Sequence, residues 1–114
     1  MSLLLETRVV GSLGAPAGFC VLRGDELYQL FVAAAARGAG VAAALIADSE
    51  TRLAARGVET TWLTCAIGND RAARFYEKCG WRRAETFVDR LETSLGVIPL
   101  EVWRYEEDLK RGRK

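Results

Sequence analysis

The sequence contains no histidine, and this absence excludes several kinds of chemistry. Without an imidazole there is no Ser-His-Asp or Cys-His nucleophilic system, and the commonest metal ligand is missing. Cysteine is scarce, because Cys20, Cys65 and Cys79 are the only three and no two of them are close enough to suggest a zinc site or a disulfide framework. We expect three buried thiols and no bound metal. Chemistry must therefore use carboxylates, tyrosine, lysine, backbone donors or a carried cofactor.

Net charge and long apolar runs are lacking as well. Sixteen basic and 15 acidic residues give a formal net charge of +1, whereas a general binder of nucleic acid or anionic membranes needs a concentrated basic face. No apolar run approaches the roughly 20 residues of a membrane span, and the first ten residues do not resemble a signal peptide. We therefore expect a cytoplasmic protein that binds neither nucleic acid nor a membrane.

The sequence does contain enough apolar residues for one hydrophobic core. The 114 residues are 50% hydrophobic with a mean hydropathy of +0.03, which suits a single globular domain over residues 1–109. The basic residues at 110–114 are predicted to form a solvated tail.

The hydrophobic pattern predicts an α+β domain. Alternating and β-branched runs indicate strands, and apolar residues at three- and four-residue intervals indicate helices. The strand, helix and strand in the middle of the chain imply a right-handed crossover and therefore one parallel pair in a mixed, mainly antiparallel sheet. The predicted strands are 3–10, 17–23, 26–32, 60–66, 81–90 and 97–106, and the predicted helices are 41–56 and 71–78.

A glycine loop joins the third strand to the first helix, and the rest of the chain is interpreted around it. Gly38 and Gly40 permit a sharp turn and a close approach of the backbone to a ligand. The first turn of the following helix adds unpaired N–H donors and the positive end of the helix dipole. This combination predicts an anion site, most often one for phosphate.

The loop also fits the dinucleotide fingerprint G-x-G-x-x-A, but its surroundings do not. That fingerprint directly follows a strand, and an acidic residue at the end of the next strand binds the ribose of the dinucleotide. Here four alanines and an arginine intervene, and the next strand is followed by Ile67-Gly68-Asn69. A Walker loop is excluded because no Gly-Lys-Ser/Thr follows.

Two motifs together resemble the GNAT superfamily of acyl-CoA-dependent N-acyltransferases. Arg37-x-x-Gly40-x-Ala42 matches its Q/R-x-x-G-x-G/A motif, and the segment 69–81, NDRAARFYEKCGW, is similar to its N-x-x-A-x-x-x-Y-x-K-x-G-F/W pattern. Both occur in the family's order and are separated by the strand that the fold needs. The resemblance covers about 17–106 and implies the GNAT fold with a central splayed pair of parallel strands.

The resemblance implies acetyl-CoA as co-substrate and assigns residues to it. The diphosphate would lie on backbone N–H groups of the loop, and the pantetheine arm would pair with the third strand. Asn69 would contact the ligand, act as a helix N-cap, or do both. The implied cofactor-binding residues are Leu30, Phe31, Val32, Arg37, Gly38, Ala39, Gly40, Val41, Ala42 and Asn69.

The implied reaction is direct attack of a primary amine on the thioester in a ternary complex. Tyr76 matches the family's general acid, which protonates the departing thiolate. The alternative interpretation is that Tyr76 only packs on the sheet. Glu26 is the first choice as general base, because alternation through Tyr28 places it on the same face of the strand as Leu30 and Val32. The alternative is that Glu26 is only a surface carboxylate in a turn. Water can serve as the base instead.

Family members usually begin with a strand and helices that wall the acceptor side, and none precedes the first predicted strand here. We expect a fragment or a homodimer that completes this wall. The acceptor, a small molecule or a peptide amine, is left open. The alternative function is a non-catalytic CoA-binding regulatory or interaction module of the same fold.

Overall fold

The computed structural model describes residues 5–12 and 14–109, so the predicted tail at 110–114 lies outside the described residues. Three strands, a helix, a strand, a helix and two strands follow one another, as predicted. A 3₁₀ turn at Ala34–Ala36, which the sequence pattern does not predict, precedes the first helix. The elements are β1 Leu5–Ser12, β2 Ala15–Arg23, β3 Glu26–Val32, α1 Val41–Ala55, β4 Thr60–Ala66, α2 Asp70–Lys78, β5 Arg82–Thr93 and β6 Gly96–Asp108.

The strands form one six-stranded sheet in the order β1-β2-β3-β4-β6-β5. The pairs β1/β2, β2/β3 and β5/β6 are antiparallel, and β3/β4 is parallel. The predicted α+β class with a mixed, mainly antiparallel sheet is therefore confirmed. Within this chain two compact units can be distinguished: one contains the described residues up to Thr61 together with Asp108 and Leu109, and the other runs from Trp62 to Glu107.

The core of the first unit lies between α1 and the β2–β3 hairpin. One face of α1 is buried and consists of Leu45, Ile46, Ser49 and Leu53. Ser49 satisfies its hydroxyl by donating to the carbonyl of Leu45 at 2.8 Å, and its oxygen lies 3.0 Å from the sulfur of Cys20 on β2. Burial of a polar side chain costs little here because its hydrogen bonds are made within the core.

Gly18 lets α1 approach β2 closely. A Cβ at this position would lie 2.6 Å from the carbonyl oxygen of Phe31 and 3.0 Å from Cγ1 of Val41, the first residue of α1. No side chain fits into that space, so the glycine is required by packing rather than by its dihedral angles. Gly18 thus sets the position of the helix start over the sheet.

A Schellman motif ends α1 at Gly57. Gly57 has φ of +88°, its N–H donates to the carbonyl of Ala54 at 3.0 Å, and the N–H of Val58 donates to that of Leu53 at 3.1 Å. Two carbonyls that the helix leaves open are thereby satisfied.

The segment 11–16 lies between the predicted strands 3–10 and 17–23, but most of it belongs to β1 and β2, so the predicted strands are too short at this hairpin. The ladder continues across it, because Gly11 pairs with Pro16 and Ser12 with Ala15. A bulge between Val10 and Gly11 absorbs the irregularity, and φ of +98° at Gly11 explains the glycine.

The second unit contains α2 and the long β5–β6 hairpin. Its buried side chains come from β4, α2, β6 and the residue that precedes β5: Leu63, Cys65, Ala73, Val102, Tyr105 and Trp81. Both hairpin strands are longer than predicted, and the outer half of the hairpin is exposed, with apolar side chains at Leu91, Ile98 and Leu100 on one face. Among the described residues, no helix is long and apolar enough to cross a membrane.

Candidate functional site

The glycine loop has an open concave backbone. Gly38 and Gly40 have φ of +85° and +82°, a conformation that residues with a Cβ rarely adopt. No heavy atom lies within 4 Å of the position where a Cβ of either glycine would stand. Residues 37–40 are all exposed. The loop therefore presents bare backbone to solvent at the point where α1 begins.

The N-terminus of α1 has no cap of its own. Gly40 is the N-cap residue and makes no side-chain hydrogen bond, and the first turn carries no acidic side chain. The first helical bond is donated by Ala44 to the carbonyl of Gly40 at 3.0 Å. The N–H groups of Val41, Ala42 and Ala43 therefore have no partner in the helix, and the dipole adds positive potential.

The set of N–H donors is narrower than predicted. The amide of Arg37 donates to the carbonyl of Ala34 at 3.3 Å, and that of Ala39 to Ala36 at 3.2 Å. These bonds close the 3₁₀ turn and the loop, so they shape the backbone instead of facing a ligand. Gly38, Gly40, Val41 and Ala42 remain as donors from the predicted range. The exposed Arg37 side chain can add a charge-assisted contact.

Residues 30–32 of β3 lie directly below this helix start. Leu30 pairs with Cys20 and Val32 with Gly18, on the face covered by α1. Phe31 pairs with Phe19 on the other face, where their rings stack with centroids 5.3 Å apart and Phe31 remains 46% exposed. The same unit thus holds the loop, α1 and the predicted pantetheine-binding strand.

Glu26 does not have the position that its sequence alternation predicts. A bulge between Val21 and Leu22 gives β3 one extra residue, so Glu26 pairs with Arg23 and faces away from Leu30 and Val32. It is not a surface carboxylate either, because it is only 5% exposed.

An arginine holds the Glu26 carboxylate. Arg23 donates to Oε1 of Glu26 from Nη2 at 2.9 Å and from Nε at 3.2 Å. The same guanidinium lies 3.9 Å from the ring centre of Tyr28. The arrangement gives the buried acid a charge partner, as burial requires. A role for Glu26 as general base stays a prediction.

Asn69 caps α2. Its Oδ1 accepts from the N–H of Ala72 at 3.3 Å, and Asp70 adds an acidic side chain to the first turn. The N-cap interpretation of Asn69 is therefore confirmed, and the ligand contact stays a prediction. In α2 the buried residue is Ala73, while Ala72, Phe75 and Cys79 are partly exposed.

The spacing of Tyr76, Gly80 and Trp81 is explained by a second Schellman motif. Gly80, at φ of +96°, donates to the carbonyl of Glu77 at 3.1 Å, and the N–H of Trp81 donates to that of Tyr76 at 3.0 Å. The rings of Tyr76 and Trp81 then meet with centroids 6.3 Å apart, which is the apolar contact that accompanies this motif. Tyr76 itself is half-buried.

A polar network beside Tyr76 was missed by sequence reasoning. The fully buried Tyr105 on β6 donates to Oε2 of Glu77 at 2.6 Å and accepts from Arg83 at 3.1 and 3.2 Å. Arg83 also lies 3.9 Å from the ring centre of Trp103. No motif marks these residues, because Arg83 and Tyr105 meet only through the pairing of β5 with β6, and Glu77 comes from α2.

Electrostatics keep this phenol protonated. Burial raises the pKa of Tyr105, and its hydrogen bond to the Glu77 carboxylate raises it further, although Arg83 acts in the opposite direction. The hydrogen bond to Tyr105 in turn raises the pKa of Arg83. Burial also raises the pKa of the Cys20 and Cys65 thiols, so neither is an activated nucleophile.

The predicted site residues thus divide between the two compact units. The first unit holds Glu26, Leu30–Val32 and the loop at 37–42, and the second holds Asn69 and Tyr76. In the described part of the chain, no three acidic, cysteine or histidine side chains form a group that could hold a metal ion.

Comparison with known proteins gives the same family as the two motifs. The model of the Acetyltransferase (GNAT) family matches residues 4–81, which is more than half of the chain. No curated protein is significantly similar to the chain in sequence.

Solved structures with the same fold include several acetyltransferases. A GCN5-related N-acetyltransferase from Rhodopseudomonas palustris superposes with a TM-score of 0.69 at 23% identity, over 88% of this chain and 60% of its own. Spermidine/spermine N-acetyltransferase SpeG from Vibrio cholerae, solved with manganese ions, has a TM-score of 0.73 at 20% identity. The match covers 95% of this chain and 67% of SpeG. The ribosomal-protein-alanine N-acetyltransferase from Escherichia coli has a TM-score of 0.72 at 22% identity. The match covers 92% of this chain and 69% of that protein. The chain thus spans about two thirds of these proteins' length or less.

Proposed function

Because this chain belongs to the GNAT family of acetyltransferases, we propose that it transfers an acetyl group from acetyl-CoA to a primary amine. The observation that carries the proposal is the uncapped start of α1 behind two glycines of positive φ. A helix N-terminus with free N–H groups and no side chain in the way suits a diphosphate. We propose that Gly38, Gly40, Val41 and Ala42 donate to it and that Arg37 adds charge.

The pantetheine arm would lie along residues 30–32 of β3 as an added strand does, with its amides on exposed backbone groups. The parallel neighbour would splay from β3 to admit it, and Asn69 would contact the arm while it caps α2. These assignments extend the family resemblance to this chain, and the open loop at the end of the same strand supports them.

The proposed reaction is a direct attack in a ternary complex. The neutral amine nitrogen forms a bond to the thioester carbon, and a backbone N–H near Phe31 stabilises the resulting oxyanion. Collapse of this intermediate breaks the C–S bond, and the thiolate takes a proton from Tyr76. The surplus proton of the amine goes to Glu26 or to water. A tyrosine and a thiol have similar ordinary pKa values, so the transfer to sulfur is nearly balanced.

The test of this function is a titration with acetyl-CoA followed by a free-thiol assay over a panel of amines. We expect the fluorescence of the three tryptophans to report binding, and one amine class to release CoA. Tyr76→Phe should lower kcat about 10²-fold, in line with the loss of a general acid, and leave KM for acetyl-CoA unchanged. Absence of acetyl-CoA binding would contradict the proposed function, whereas an unchanged kcat would reduce Tyr76 to a packing residue.

A second candidate function is a CoA-binding regulatory or interaction module that does no chemistry. The observation that favours it is Glu26, whose carboxylate is buried against Arg23 instead of facing the predicted acceptor side. Binding of acetyl-CoA without turnover of any amine would select this alternative.

The acceptor is proposed only as an amine. Two of the similar structures are named for spermidine or spermine and for an alanine of a ribosomal protein, which are a small molecule and a protein. For this chain we propose a small-molecule or peptide amine, a homodimer and a cytoplasmic location. Mass spectrometry of co-purified ligand and a sedimentation experiment measure the first two.

A further inference from the structure

Tyr105 is the largest fully buried side chain of the described residues, and it is in contact with α2 beside Tyr76. The ring centroids of Tyr76 and Tyr105 are 6.0 Å apart at an interplanar angle of 45°. The Tyr105 hydroxyl donates to Oε2 of Glu77 at 2.6 Å, a short distance that indicates a charge-assisted bond. A core tyrosine of β6 thus contacts one residue of α2 by its ring and the next by its hydroxyl.

This contact is made at the last turn of α2. The side chains of Tyr76 and Glu77 are about 100° apart around the helix, so the bond to Glu77 fixes the rotation of the turn that carries Tyr76. The Schellman motif fixes the same turn along its axis, because Trp81 donates to the carbonyl of Tyr76 at 3.0 Å. Tyr76 is therefore held by its backbone, its ring and its neighbour.

Tyr105 is itself held in one orientation. Two nitrogens of Arg83 donate to its hydroxyl at 3.1 and 3.2 Å, and Arg83 is stacked over Trp103. With its one proton directed at Glu77, the hydroxyl has both an acceptor and donors, so rotation would break three hydrogen bonds. Such rigidity exceeds what filling the core requires, since a phenylalanine would fill nearly the same volume.

We propose that Tyr105 is a positioning residue that sets the Tyr76 phenol for proton donation to the departing thiolate. The inference rests on the proposed function, in which Tyr76 is the general acid. Positioning matters because a misplacement of about 1 Å can cost about 10²-fold in rate. The high pKa of Tyr105 agrees with this role, since the phenol remains a donor over the pH range in which the acid must work.

The test is a double-mutant cycle with Tyr105→Phe, Tyr76→Phe and the double variant, measured as kcat and as KM for acetyl-CoA. Tyr105→Phe should lower kcat about tenfold, which is less than the loss of the acid itself, and leave KM unchanged. In the Tyr76→Phe background the same change should have no effect on kcat. Glu77→Gln keeps an acceptor and should retain the rate, whereas Glu77→Ala should behave as Tyr105→Phe does.

Val102→Ala is the matched control, because Val102 is buried on the same strand but lies on the opposite face of the sheet from Tyr105. It should lower Tm and leave kcat unchanged, which separates lost stability from lost positioning. If Tyr105→Phe does not fold, Glu77→Ala takes its place in the cycle.

Full kcat in Tyr105→Phe, or equal losses in both backgrounds, would overturn the positioning role while leaving the proposed function intact. An unchanged kcat in Tyr76→Phe, or no turnover by the unaltered protein, would overturn the proposed chemistry and the positioning role together.

Discussion

At the scale of single residues, glycine carries most of the information in this chain, and for different reasons at different positions. Gly38 and Gly40 are required by backbone conformation in the loop, and Gly57 and Gly80 are required by it at the two helix ends. Gly18 is required by space. Glycines required by backbone conformation can be predicted from motifs and from the positions where helices end. A glycine required by space, such as Gly18, depends on which residues pack against it in the fold.

Gly40 and Gly57 are a matched pair at the two ends of α1. Both have positive φ, 82° and 88°, and neither has a heavy atom within 4 Å of its Cβ position. Replacing either by alanine should cost about 1–2 kcal/mol of unfolding free energy, the penalty for a Cβ in this conformation. Only Gly40→Ala should also weaken acetyl-CoA binding, by about tenfold, because it moves the proposed N–H donors.

Urea unfolding and a fluorescence titration measure the two quantities. Equal affinities for acetyl-CoA in the two variants would contradict the placement of the diphosphate at the start of α1.

At the scale of elements, α1 depends on how closely β2 lets it approach. A Cβ at Gly18 would meet the Phe31 carbonyl at 2.6 Å, and backbone cannot give way as a flexible side chain can. Gly18→Ala should therefore lower the unfolding free energy by about 1–3 kcal/mol, the usual cost of overpacking. The start of α1 at Val41 would shift with it, so acetyl-CoA affinity should fall too.

Gly14→Ala is the control for Gly18→Ala, because Gly14 is exposed and has nothing within 4 Å. It should leave stability unchanged or raise it slightly through the unfolded state. Chemical denaturation of both variants measures the difference, and similar stabilities would show that β2 and α1 can move apart at no cost.

At the scale of the whole molecule, buried thiol and phenol groups with raised pKa values should make the unfolding free energy depend on pH in the alkaline range. Burial raises the pKa of Cys20 and Cys65 above the ordinary 9.0 and that of Tyr105 above 10.0. At about pH 7, well below these ordinary values, the groups are protonated in both states and contribute no pH dependence. Above it the unfolded chain releases its protons first, so the unfolding free energy should fall as pH rises towards the folded-state values.

Urea midpoints measured between pH 7 and pH 10.5 test this expectation. A constant midpoint over that range would contradict the burial of these groups. Cys20→Ala should reduce the slope above pH 9, although it lowers stability at every pH by leaving a cavity.

The sequence alone determined the order of the elements, the bounds of β3 and β4, the two helix stops and the family. It could do so because local periodicity, turn residues and the backbone demands of glycine act over a few positions. The proposed anion site in the glycine loop was inferred in the same way, since its glycines and the helix after them are neighbours in the chain.

Only the tertiary structure decided the facing of Glu26 and the network around Tyr105. The facing of Glu26 depends on a single extra residue in β3, because a bulge reverses every side chain beyond it. The network around Tyr105 depends on the pairing of β5 with β6 and on the packing of α2. The partners then come from distant segments: Glu77 and Tyr105 are 28 positions apart. Alternation can say that a side chain lies on one face of a strand, but the pairing of strands decides which face that is.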